Sequence, residues 1–106
     1  MGVDEGLIQE IVRRVLSVSE PQRIILFGSA ASGQMARDSD IDLLVVEPSP
    51  RDTRQERLRI GDSLRGLGFP FDVFVIATEQ FEESKHIFGG LAYPAHKYGQ
   101  VIYEAN

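Results

Sequence analysis

The sequence predicts an α/β (α+β) domain in which a small mixed β-sheet is flanked by helices. Apolar residues recur at helical spacing between positions 4 and 18, and three short runs rich in isoleucine, valine and phenylalanine, at 23–27, 40–46 and 71–76, have the length of strands. Glycine, proline and polar residues punctuate the intervals, so helices and strands interleave along the chain. The 106 residues fit one compact domain spanning 1–106.

Taken in order, residues 4–18 place Ile8, Ile11, Val12, Val15 and Leu16 on one helical face and Arg13 and Arg14 on the other. Asp4 can cap the start, and Pro21 lies just beyond the end. Arg23 to Phe27 (RIILF), bounded by Gly28, reads as a buried strand. Gly28 to Gly33 (GSAASG) allows a sharp turn whose alanines can start a short helix. After a polar connection at 34–39, Asp40 to Val46 (DIDLLVV) forms a second strand, ended by Pro48 and Pro50. Residues 51–66 form a second long helix with Leu58, Gly61 and Leu64 on its apolar face, closed by Gly66 and Gly68. Phe71 to Ile76 (FDVFVI) is the third strand. Thr78 can cap a short helix through Phe81 and Glu82. Ile87 to Tyr98 reads as a further helix, kinked or restarted at Pro94 and stopped by Gly99, and Val101 to Tyr103 adds an edge strand.

Composition excludes several classes of protein. There are no cysteines, which removes disulfides and thiolate metal sites. No apolar run approaches the roughly 20 residues of a membrane helix, and the acidic start (Asp4, Glu5) is unlike a signal peptide, so a cytoplasmic location is expected. The net charge of -5 disfavours non-specific nucleic-acid binding. Arg13, Arg14, Arg51, Arg54, Arg57, Arg59 and Arg65 are interleaved with acids and read as solvated helix faces.

Three aspartates fit poorly with a purely structural role. Side chains alternate along a strand, so Asp40 and Asp42 share one face while Ile41 and Leu43 take the other. Asp72 interrupts an otherwise apolar strand, where a carboxylate is costly unless something pairs with it. If the two strands are neighbours, all three acids meet. Like charges at 4 Å repel by about 4 kcal/mol at an effective dielectric of 20, so such a cluster favours a divalent cation. Oxygen donors suit magnesium, manganese or calcium rather than zinc. A polar turn leading into the strand would also account for Asp40 and Asp42, and a salt bridge to the second helix for Asp72. Those explanations must hold independently for three residues. Gly28-Ser29, between a strand and a possible helix, is suited to receive phosphate through backbone N–H groups and the serine hydroxyl. His86 and His96 lack metal-ligand spacing, and Phe69, Phe71, Phe74, Phe81 and Phe88 read as core.

Gly28-Ser29, ten intervening residues and Asp40-Ile41-Asp42 together resemble the signature of the polymerase-β-like nucleotidyltransferase superfamily. The stretch ILFGSAASGQMARDSDIDLLVV is similar to its minimal nucleotidyltransferase branch, and Asp72 stands where that family keeps a third carboxylate. The tail ESKHIFGGLAYPAHKYGQVIYE is similar to the family's closing helix and strand. The resemblance implies the polymerase-β-like nucleotidyltransferase fold, ATP as substrate, and two magnesium ions bridged by Asp40 and Asp42. Asp72 would complete the metal site and act as base, and Gly28 and Ser29 would bind the triphosphate. The implied reaction is transfer of a nucleotidyl, specifically adenylyl, group to a hydroxyl.

The same resemblance implies an antitoxin whose acceptor is a tyrosine of a partner HEPN toxin, a helical RNase; an acceptor site shared with a second copy is the oligomeric variant of this reading. One position departs from the family pattern: Ser32 stands where arginine is common, with Arg37 and Lys85 as the cations available to replace it. The alternative implied by Ser32 is a binding module that neutralises its partner by contact alone.

Overall fold

The structure, a computed structural model, describes residues 3–28, 31 and 40–106. Helix α1 (Glu5–Val18) starts where Asp4 accepts a hydrogen bond from the Leu7 backbone N–H at 2.8 Å. Ile8, Ile11 and Val15 form its buried stripe, whereas Leu16 is exposed. Strand β1 (Arg23–Phe27) has the expected bounds. Strand β2 spans Ile41–Glu47, leaving Asp40 one residue before it.

Helix α2 (Thr53–Ser63) is shorter than its sequence pattern, because Asp52 caps it and Leu64 ends it. Its buried residue is Ile60, joined by Leu64 just beyond; Leu58, expected on the apolar face, is 57% exposed. Gly66 and Gly68 follow with φ of 88° and 90°, the left-handed region that glycine enters without a Cβ clash. Strand β3 is Phe71–Ala77.

Two expectations for the C-terminal third need correction. Helix α3 (Thr78–Ser84) begins at Thr78 itself, so Ala77 occupies the cap and the buried Thr78 hydroxyl has no hydrogen-bond partner among the described residues. Helix α4 is only Ala92–Tyr98. Pro94 therefore sits in its first turn, where a missing N–H costs no helical bond, and Ile87 to Leu91 lie outside the helix. Gly99 caps α4 at such close range to Leu26 O and Ile25 Cγ2 that a Cβ would not fit. Strand β4 (Gln100–Glu104) follows.

The four strands lie in the order β3-β2-β1-β4. β1 is antiparallel to both β2 and β4, while β2 and β3 are parallel. Parallel neighbours need a crossover, and α2 supplies it. β2, paired on both sides, is almost wholly buried, which explains its unbroken apolar run LLVV. Alternation then sorts the sheet into two faces. Ile24, Leu26, Ile41, Leu43, Val45 and Val73 meet α1 and α2. Ile25, Phe27, Leu44, Val46 and Ile76 meet Phe81 of α3 and Ala92 and Ala95 of α4. Among the described residues no helix is long and apolar enough to cross a membrane.

Candidate active site

The sheet order brings the three aspartates together. Asp42 is the second residue of β2 and pairs with Phe27 of β1 on one side and Asp72 of β3 on the other. Residues in register on parallel strands point the same way, so both carboxylates leave the same face. It is the face carrying Leu44, Phe74 and Ile76, so Ile41 and Leu43 can enter the opposite core. Asp40, two residues before Asp42, brings its carboxylate within hydrogen-bonding reach of Asp72. Asp40 and Asp72 are exposed and Asp42 is half-buried. No ion pair to Asp72 occurs among the described residues, so a strand-end salt bridge does not account for it.

The electrostatics follow from this crowding. Burial, and then the charges of Asp72 and Asp40, push the Asp42 carboxyl above its ordinary range. Burial and the neighbouring Asp40 push Asp72 in the same direction. Each group carries more negative charge nearby than water would leave it. The donors are all oxygen, which matches a hard divalent cation such as magnesium. Among the described residues no three acids or histidines are already closed into a metal cage.

Gly28 completes the constellation from the other side. It follows Phe27 immediately, and the chain turns there with φ of 70°. A Cβ at this position would collide with Oδ2 of Asp42. Glycine is thus required twice, by the backbone conformation and by the close approach of the carboxylate. Of the rest of the GSAASG segment only Ala31 is described, and it packs against the core beneath α1 and α2. Ser29, Ser32 and Arg37 lie outside the described residues.

Lys85, the other cation weighed as a substitute for arginine, is held by Glu82 at 2.7 Å. Its charge acts on His96, which Arg23 also influences, and Arg23 pairs with Val46 at the other end of β1 from the Phe27–Asp42 pair. His86 and His96 stack edge to face there, with ring centroids 5.0 Å apart. A cleft of about 960 Å³ also avoids the three aspartates: it lies where α1 ends and α2 begins, beside Glu47. Carboxylate convergence is the better guide to chemistry here, because size alone positions no reactive group. Sequence reading missed a smaller hollow of about 210 Å³ that includes Asp72 and is lined by Arg57, Phe71, Val73 and Phe74. Arg57 had no signal to set it apart from the other helix arginines. Of the phenylalanines expected in the core, Phe81 is buried but Phe88 is 84% exposed.

The profile of the family described as Nucleotidyltransferase domain matches residues 8–93. The chain belongs to that family. The match spans the acids, Gly28 and the elements from Ile8 of α1 through α3. Solved structures share the nucleotidyltransferase fold. A toxin–antitoxin crystallised with AMP-PNP is 21% identical, with TM-score 0.70, covering 93% of this chain and 74% of that one. A putative nucleotidyltransferase from Sulfolobus solfataricus is 22% identical, with TM-score 0.63 and coverage of 93% and 78%. A mutant of the toxin–antitoxin MntA–HpeT is 19% identical, with TM-score 0.67 and coverage of 93% and 74%. No curated protein matches the chain.

Proposed function

We propose that this nucleotidyltransferase domain, a single unit over residues 1–106, transfers an adenylyl group from ATP to a hydroxyl on a partner protein. The acceptor in this reading is a tyrosine of a HEPN-type toxin, which makes the chain a cytoplasmic antitoxin. The observation that carries the proposal is the register of Asp42 with Asp72, beside Asp40 and beneath Gly28. The likeness to toxin–antitoxin structures, one of them with AMP-PNP, supports the choice of substrate and partner.

Asp40, Asp42 and Asp72 would hold magnesium, two ions in all, which neutralises the carboxylates and the phosphates and stabilises charge on the departing pyrophosphate. Gly28 and Ser29 would hold the triphosphate through their backbone and hydroxyl donors. The acceptor oxygen forms a bond to the α-phosphorus while the bond from that phosphorus to the bridging oxygen of the β-phosphate breaks. Pyrophosphate leaves with the bond's electron pair. In this reading Asp72 takes the hydroxyl proton.

The test is incubation with α-labelled ATP, magnesium and a HEPN-type helical protein, taken from the neighbouring reading frame where one is encoded there. The expected result is a covalent adduct on the toxin that falls by about 10²-fold or more in Asp42→Asn. Neutralisation of the toxin by Asp42→Asn without any adduct would instead establish the contact-only module.

A further inference from the structure

The geometry points to the outer edge of β3 as a docking strand. We propose that an extended, acidic segment of the acceptor protein adds to the sheet along Phe71–Ala77, gripped by Arg54 and Arg57, with its hydroxyl beside Asp72. The inference rests on the transferase reading for the chemistry of that hydroxyl, and on four features of the edge for the docking itself.

First, β3 is the terminal strand of the sheet, and β2 uses only one side of its backbone. Among the described residues no strand pairs with the other side. A free edge is a ready template for an added strand. Second, two of the usual protections are missing from this edge: it is seven residues long rather than short, and it contains no proline or lysine. The opposite edge, β4, is five residues long and tied at its end by the Arg23–Glu104 ion pair.

Third, two hollows run along β3. One, of about 230 Å³, is lined by Arg54, Arg57, Phe74, Val75 and Leu91 among others. The other is the 210 Å³ hollow that includes Asp72. They share Arg57 and Phe74, so they form one trough from Leu91 to the reactive acid. Phe71, Phe74 and Val75 remain only half-buried beside it.

Fourth, the trough is cationic in an acidic chain of net charge -5. Arg59 pairs with Glu56 and Arg65 with Asp62, whereas Arg54 and Arg57 are exposed and carry no carboxylate among the described residues. Residues three apart share a helix face, so the two guanidiniums overlook the same stretch of strand. They match carboxylates on an incoming segment.

The experiment uses two short synthetic tyrosine peptides that differ only in flanking glutamates or lysines, titrated into the full chain while backbone amide resonances are followed. The glutamate peptide is expected to move the amides of Phe71–Ala77 and to bind at least about tenfold tighter than the lysine peptide. Arg54→Glu combined with Arg57→Glu should invert that preference; both positions are exposed, so the fold is kept. Equal binding of the two peptides overturns the inference. So does a response at Gln100–Glu104 instead, a preference untouched by the double variant, or concentration-dependent shifts in β3 without peptide, which would mean a second copy pairs there. Magnesium-dependent ATP binding, read at Gly28 and Asp42 in the same samples, reports separately on the transferase. Its absence with the peptide preference intact counts against the transferase alone.

Discussion

At the scale of single residues the site depends on a glycine as much as on its acids. Gly28 occupies a left-handed conformation and leaves no room for a Cβ beside Oδ2 of Asp42. Gly28→Ala should therefore cost about 1–3 kcal/mol in backbone strain and crowding. It should also turn the Asp42 carboxylate away from Asp72, which core substitutions of equal cost would not do. Denaturant unfolding measures the first effect, and magnesium titration of the folded variant the second. A variant that loses stability but binds magnesium like the parent would show that Gly28 serves the turn alone.

Among the elements, α2 needs help from outside to hold its place. Only Ile60 is buried within it, its last turn contains no basic residue, and much of its surface is charged. Help comes from another helix. Arg14 of α1 donates to the carbonyl oxygens of Arg65 at 2.7 Å and Ser63 at 3.3 Å, where orphan carbonyls end the helix. Glu10 holds the same guanidinium at 3.0 Å, so it is fixed from both sides. Arg14→Met keeps the alkyl stem and removes these bonds. It should destabilise the chain by roughly 1.5–3 kcal/mol. Hydrogen exchange should quicken within Thr53–Ser63 more than in β1 or β2. Uniform acceleration across all elements would deny the link. The consequence reaches function, because α2 carries Arg54 and Arg57 and joins the two acid-bearing strands.

Across the whole molecule, charge placement couples stability to pH and to metal. Asp42 and Asp72 have raised carboxyls, so at these two sites the folded chain binds more protons than the unfolded chain. Their contribution is fully present below the ordinary value of 3.8 and is lost as pH rises through their displaced range. Glu10 has the opposite sign: its Arg13 and Arg14 bonds lower it from 4.5 to about 2, so its contribution is present above 4.5 and lost as pH falls towards 2. In metal-free protein Asp72→Asn should raise Tm at neutral pH by about 1–4 °C, and the gain should vanish below the carboxylate range. Magnesium with ATP at 100 times its Kd should stabilise the parent by about 2.7 kcal/mol, and Asp42→Asn much less. Thermal scans at several pH values check both. Equal stabilisation of parent and Asp42→Asn would place the ion elsewhere.

Much of this was legible in the chain. Strand length and isoleucine content defined RIILF, helical spacing with Asp4 defined α1, and the Asp40–Asp42 spacing put two carboxylates on one face, because these are local properties of a periodic backbone. The burial of Ile60 rather than Leu58 was decided by packing against residues distant in sequence. Above all, the meeting of Asp72 with Asp42 needed the parallel pairing of β2 and β3 across α2, and the trough beneath Arg57 needed the edge which that order leaves open. Sequence determines which side chains a strand can present together; only the packing of strands against one another determines which strands are adjacent.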